Sequence, residues 1–486
     1  MPSSSNPDAT ATLRTLWLAA GLPEAALAQV HLPGSQPVLP SSFAVATAAQ
    51  ASLGAAAAAA AELWHLRTGQ RQSVQVDRAH AALECTGHFS LDGRVPALWD
   101  KLSGLYACGS AAGEGGWVRI HANFAHHRDA ALRLLGLPPG DATPRSVVAS
   151  ALLGWSALDF EQSAADAGGV VAAVRSFAQW QAHPQSQALA AQPLVRITPI
   201  GGEPGAAAAP AAPTHWPAIN STQRPLHGLR VLDLTRILAG PVAGRLLAAY
   251  GADVMLVNGP HLPNIESIAD TSRGKLSTLI DLREAAGRAQ LDALAGQAQV
   301  FVQGYRPGAL AAVDFSAEAL ARRHPGIVVA SLSAYGNEGP WAGRRGFDSL
   351  VQTATGFNLA EAEAAGAAAP KALPMQILDY AAGHLLAFGI QAALWRQATQ
   401  GGSWQVEVTL AGVGHWLHSL GRLPDGLSVT PPTIEPYLEH SRCGFGAGGA
   451  GTLRALRHAA VFSATPAAWV RPSMPPGSHP PIWPEA

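Results

Sequence analysis

Between Tyr380 and Trp395 the chain is apolar on nearly every side of a helix, with only His384 and Gln391 interrupting. A helix of that kind has no face for solvent, so the fold has to enclose it between layers. Asp379 precedes it directly. After Gly401-Gly402, residues Gln405 to Leu410 alternate with β-branched side chains as a strand does. An aspartate opening a buried helix lies beside unpaired backbone N–H groups and the positive end of the helix dipole, which predicts an ionised carboxylate. Such a group serves as an N-cap or as a nucleophile, and this stretch alone leaves both open.

The arrangement occurs twice. An alanine-dominated helix is predicted over Ser41 to Leu66, turning at Thr68-Gly69-Gln70-Arg71 into a strand over Ser73 to Asp77. Its Leu63-Trp64 mirrors Leu394-Trp395, and Val74-Gln75-Val76 mirrors Val406-Glu407-Val408. Laid over each other without gaps through the helix, the position of Asp379 falls on Ala48, so the first copy lacks the acid.

At 486 residues the chain exceeds one ordinary core, and two or three domains are expected. Lys and Arg (32) nearly balance Asp and Glu (33), which argues against nucleic acid or another polyanion as the main partner. The N-terminus has no basic region ahead of an apolar core, and the longest apolar run, around Ala55 to Ala61, is too short to cross a bilayer. A cytoplasmic protein with no membrane partner is expected. Cys85, Cys108 and Cys443 are widely separated, His126-His127 are adjacent rather than on one helix face, and no HExxH occurs, so no metal is expected.

In chain order, a short helix over Ala9 to Ala20 precedes the first repeat. From Trp99 to Ile200 the sequence predicts strands at Ser103 to Tyr106 and Gly116 to His121. Helices are predicted at Ala130 to Leu137, Arg145 to Leu152, Ala157 to Ala167 and Val170 to Ala182. Asp159 and Glu161 read as a solvated helix face. Residues Gly201 to Pro217 are glycine- and proline-rich, as a linker is. Beyond them, strands at Leu229 to Leu234, Ala252 to Val257, Leu276 to Asp281, Val300 to Gln303 and Ile327 to Ser331 alternate with helices at Val242 to Tyr250, Arg283 to Leu294 and Ala317 to Arg323. That alternation specifies an α/β fold with a parallel sheet. The turn Thr235 to Pro241 has no GxGxxG, which excludes a dinucleotide dehydrogenase of the usual kind.

Six stretches in order, PLHGLRVLDLTRILAGP (225–241), YGADVMLV (250–257), RGKLSTLIDL (273–282), VQGYRPG (302–308), SAYGNEGPWAGRRGFD (333–348) and LDYAAGHLLAFGIQAALWR (378–396), resemble the family III CoA-transferases. This group includes formyl-CoA and carnitine CoA-transferases and the α-methylacyl-CoA racemases. The resemblance implies a Rossmann-like parallel sheet in a large domain, a smaller α+β domain, and a homodimer of interlocked chains with its sites at domain and subunit boundaries. It implies an N-terminal arm over 1–40, a degenerate transferase-like segment with part of the small domain over 41–200, and a linker over 201–224. The Rossmann-like transferase domain follows over 225–415, with a curtailed small-domain tail over 416–486. Because the first segment corresponds to the family's later part, the chain either interlocks with a second copy or meets part of that arrangement internally.

By position, Asp379 matches the family's catalytic aspartate, which carries the acyl group as a mixed anhydride and CoA as a thioester. CoA and acyl-CoA are then substrates, with a carboxylic acid as acceptor and no permanently bound cofactor. Arg306 matches an arginine near CoA, with Arg273 and Lys275 as second choices, and Asn258 stands where relatives have an acid near the cofactor. Gly346 is a candidate for holding oxyanions through backbone N–H groups. Phe347 replaces the histidine of the racemase GHD triplet, and a phenylalanine accepts no proton, which disfavours racemisation by that route. Leu238 replaces a glutamine of formyl-CoA transferase and, with Phe347, suits an apolar acyl group. The alternatives are a non-catalytic acyl-CoA binder and a racemase or isomerase using other bases.

Overall fold

The computed structural model describes residues 8–35, 37–109, 115–201 and 216–485. Most of the expected linker, 202–215, lies outside them.

Among the described residues, seven strands form the main sheet. Their order is Leu276–Leu279, Asp253–Asn258, Arg230–Leu234, Val300–Gln303, Val328–Ser333, Ser403–Thr409 and Arg196–Ile200. All pair in parallel except the edge strand Arg196–Ile200, which runs antiparallel to Ser403–Thr409. Successive side chains of a strand point to opposite faces, and here both faces are covered. Val231, Val254, Val300, Val302 and Val328 belong to the large core that holds the Asp379 helix. Their neighbours Leu232, Met255, Phe301 and Val329 pack on the other side with Leu291, Leu294 and Leu320. Near-continuous apolar runs follow from this double burial. The direction of strand succession reverses between Arg230–Leu234 and Val300–Gln303, and in such sheets that switch point opens a crevice at the strands' C-terminal ends.

The helix Ile377–Gln400 is buried over most of its length and lies against Val45–Thr68, the helix of the first repeat and likewise 24 residues long. Alanine and glycine at the contact let the two backbones approach. Its two polar interruptions are used there: His384 Nδ1 lies 3.1 Å from Ser52 Oγ, and Gln391 Nε2 donates to the Ala56 carbonyl at 3.0 Å. The helix is apolar enough for a membrane span, but its apolar window is wholly buried in the fold. The two repeats then diverge. Ser403–Thr409 enters the main sheet, whereas Val74–Val76 pairs with Val30–His31 and with Ala460–Phe462 of the tail.

A second core forms around three strands, Gly104–Ala107, Trp117–Ile120 and Val171–Ala173, with Val148, Leu152 and Phe160 packed on them. Here the helix expected over Val170 to Ala182 is replaced by the last of these strands and by a separate helix, Phe177–Ala182. The capping box of Ser176 and Gln179 starts that helix afresh, which helical periodicity alone did not reveal. The helix predicted over Ala130 to Leu137 begins earlier, at Ala125. Glu161 is not on a solvated face: it is buried, accepts the Ala173 N–H at 2.9 Å and pairs with Arg175 at 2.5 Å.

Two of the expected cofactor contacts are structural instead. Arg273 is buried in a cluster with Asp270, Arg245 and Glu84, bonds Glu439 and the Leu456 carbonyl, and stacks over Trp469. With His458 against Glu84, this cluster joins the first segment, the main sheet domain and the tail. Lys275 is wholly buried, donating to Asp233 at 2.7 Å and to the Pro241 carbonyl at 2.8 Å. Charges taken out of water need such partners, and these carboxylates and carbonyls are what Arg273 and Lys275 meet.

A Cβ at Gly383 would lie 2.5 Å from the Ala239 carbonyl oxygen and 2.9 Å from Val242 Cβ. Helix propensity favours Gly383→Ala by about 1 kcal/mol, but the clash is with backbone, and overpacking of this kind costs about 1–3 kcal/mol. The variant is expected to unfold at lower denaturant than the parent. An equal or higher midpoint would show that the close approach is absent.

Candidate active site

At the switch point of the sheet lies a cavity of about 380 Å³. Its wall on the sheet side is the loop after Arg230–Leu234, with Arg236, Ile237 and Leu238 leading into the helix Ala239–Ala249. Ile237 has φ +77°, a left-handed conformation that is costly for a β-branched residue and persists only when its surroundings dictate it. Asp233 holds the start of the same loop. Its Oδ1 accepts from Thr235 N at 3.0 Å and from Thr235 Oγ1, while Lys275 holds its Oδ2. Lys275 therefore acts beneath the loop, not in the cavity.

The facing wall comes from the first segment of the same chain, through Phe124, His126 and His127. Phe347, also on the cavity, stacks on His121 with centroids 3.9 Å apart and planes 10° from parallel. Both halves of the sequence thus meet at one site.

Asp379 lines the cavity as the third residue of its helix and retains 8% exposure. The expected ionising environment is not what it meets. Its backbone N–H donates at 2.9 Å to Oδ2 of Asp348, a wholly buried carboxyl that also accepts from Leu378 N–H and from Gln352. The cap of the Asp379 helix is therefore supplied by Asp348 from another helix. Burial first, and the charge of Asp348 second, push Asp379 well above the usual carboxylate range. Burial likewise raises Asp348 to about 7, opposed by its hydrogen bonds and by the charge of Arg119.

Arg306, Leu238, Gly346 and Phe347 join Asp379 on this cavity, as do Arg236, Arg344 and Arg345. Arg344 donates to the Glu161 carbonyl and Arg345 to the Gly168 carbonyl, which anchors both to the small core. Arg236 donates to the Pro263 carbonyl and lies 5.8 Å from the Phe124 ring, with its Nε buried and without a protein partner. Burial and neighbouring cations lower His127 to about 3, so its imidazole is neutral. Gly346 has no room for a side chain: a Cβ would stand 2.6 Å from that of Ala334.

Asn258 does not reach the cavity. It is buried at the end of its strand, accepting from Asn264 Nδ2 at 3.2 Å. With Arg273 and Lys275 engaged elsewhere, Arg306 alone of the four expected cofactor contacts lines the cavity. Sequence reasoning passed over Arg236, Arg344, Arg345 and Asp348, although all four lie within the quoted motifs. Phe124, His126 and His127 carried no comparable signal.

A carboxyl that holds its proton more tightly folded than unfolded stabilises the fold at low pH. That contribution is lost as pH rises from the ordinary carboxylate range, about 3.9, through the raised folded value. Asp379→Asn is therefore expected to melt above the parent at pH 8, with the difference shrinking towards pH 4. Thermal melts at the two pH values check this, and a parent that is the more stable at pH 8 contradicts it.

Residues 226–421 match the family described as CoA-transferase family III. A probable fatty acyl-CoA transferase of Mycobacterium tuberculosis is 34% identical over 212 residues, covering 41% of this chain and 52% of that protein. A succinate–glutarate CoA-transferase of Agrobacterium fabrum is 32% identical over 242 residues, covering 44% and 60%. The chain thus spans 52% to 60% of the length of these two relatives. A crystal structure of a CAIB/BAIF family protein from Brucella suis matches with a TM-score of 0.36 and 24% identity, covering 47% of this chain and 65% of that one. Residues 226–421, which carry six of the seven strands of the main sheet, the Asp379 helix and most of the cavity wall, are thus the part of the chain that is similar to CoA-transferase family III.

Proposed function

We propose that the chain transfers CoA from an acyl-CoA donor to a carboxylic acid, with Asp379 as the nucleophile. The observation that carries this reading is a reachable aspartate in a cavity lined also by four arginines and apolar side chains. The arginines suit the phosphates of CoA, and Arg306, which also borders two adjoining cavities, suits the point where an elongated thioester passes between them. Leu238, Phe347 and Leu410 offer the acyl group an apolar surface.

The ionised Asp379 carboxylate attacks the thioester carbonyl, and CoA leaves as the thiolate, giving a mixed anhydride. The thiolate then attacks the aspartyl carbonyl, releasing the donor's carboxylate and leaving an aspartyl-CoA thioester. The acceptor carboxylate attacks that thioester, and the thiolate released returns to the acceptor's carbonyl, restoring Asp379. Burial serves this sequence by keeping water from the anhydride. It also raises the basicity of Asp379, trading a smaller ionised fraction for a stronger nucleophile. Phe347 packs on His121 where a racemase would carry a base, which supports transfer over racemisation.

One observation favours a second reading, an acyl-CoA binder without transfer: Asp379 is pushed towards its neutral form. A cytoplasmic location and, on the family resemblance, a homodimer complete the proposal.

Incubation with a panel of acyl-CoA donors and hydroxylamine, followed by peptide mass spectrometry, is expected to place a hydroxamate on Asp379. CoA binding with neither adduct nor exchange on any donor selects the binder. Asp379→Ala is expected to lower kcat by about a thousandfold or more, as for loss of a covalent nucleophile. Arg306→Ala is expected to raise KM for acyl-CoA about tenfold, the equivalent of one charge-assisted hydrogen bond of about 1.5 kcal/mol. Steady-state kinetics measure both.

A further inference from the structure

The transfer sequence above makes no use of Asp348, although it is a carboxyl with no exposed surface beside the cavity. Burying such a group is expensive unless its bonds repay the cost, so its partners reveal what it is for. The helix Ile377–Gln400 has Gln376 at its cap position with no side-chain capping bond. The first-turn N–H groups of Leu378 and Asp379 are instead taken up by Asp348, which opens the helix Asp348–Thr355. Gln352, one turn further on, donates to the other oxygen of Asp348 and also bonds the Met375 carbonyl and the Leu373 N–H. Asp348 thereby ties the backbone of Asp379 to a second helix and to the segment leading into its own.

Other charged and titratable groups face this pair from two sides. Arg119, on the strand Trp117–Ile120, is the cation whose charge reaches Asp348; it is buried, lies 5.4 Å from the Trp99 ring, and leaves its Nε without a protein partner. His121, on the same strand, packs across Phe347 and is held neutral by burial. On the cavity side, Asp379 faces His127 and the arginines already described.

We propose that Asp348 is a positioning residue for Asp379, fixing its backbone at the mouth of the helix and setting a second carboxyl charge against the nucleophile. A capping serine would do the first without the second. The role rests on Asp379 being the nucleophile, and the test separates the two claims.

Asp348→Asn keeps an acceptor for the N–H groups and removes the charge, whereas Asp348→Ala removes both. Infrared difference spectra of the parent against Asp379→Asn isolate the Asp379 carboxyl without reference to activity. The midpoint of its titration is expected to fall by at least one pH unit in Asp348→Asn, and the acid limb of the kcat profile to move with it. In Asp348→Ala, kcat is expected to fall a further tenfold or more with KM for acyl-CoA within about twofold. A folded Asp348→Asn whose infrared midpoint equals the parent's overturns the proposal. Should the parent form no adduct with any donor, the transferase reading fails, while the infrared midpoint still decides whether the two carboxyls act on each other.

Discussion

Everything in this fold is arranged around two helices buried over most of their length. The pair Val45–Thr68 and Ile377–Gln400 lie together because alanine and glycine dominate the contact, and His384 Nδ1 and Gln391 Nε2 meet oxygen atoms of the opposite helix. The pairing locates the first repeat against the second, and with it the small core that carries His121, Phe124 and His127. The cavity wall opposite Asp379 is a consequence of helix packing.

Charges are buried in the same spirit. Lys275 holds Asp233, Asp233 holds the base of the loop, and the loop keeps Ile237 in a conformation it would not choose. Arg175 and Glu161 brace the small core, whose neighbouring carbonyls receive Arg344 and Arg345. Ion pairs of this kind contribute little net stability after desolvation. Their service is geometric, since each leaves few alternatives for the loop or side chain it touches.

The sheet was legible because parallel strands buried on both faces leave apolar runs at regular spacing, and the Ala317–Arg323 helix begins and ends where its pattern does. The strand at Val171–Ala173 was not, because three buried residues give no period and the capping box that ends the ambiguity lies just beyond them. Asp379, Arg306, Leu238, Gly346 and Phe347, named through motifs, line one cavity. Arg273 and Lys275 were misplaced because a positive charge in a motif reads the same whether it faces phosphate or a buried aspartate. His126 and His127 were invisible as site residues, since what brings them to Asp379 is the juxtaposition of segments some 250 residues apart in the chain.

The helix pair also imposes an order in time. Ser52 and His384 are separated by 332 positions, and Ala56 and Gln391 by 335. At synthesis rates of about 5–20 residues per second, the first helix waits tens of seconds for the surface that will cover it. A leucine- or valine-rich segment left open that long would invite strand pairing with other chains. The run Ala55 to Ala61 has the highest helix propensity and little tendency to form strands, so it can stand folded and solvated until its partner emerges.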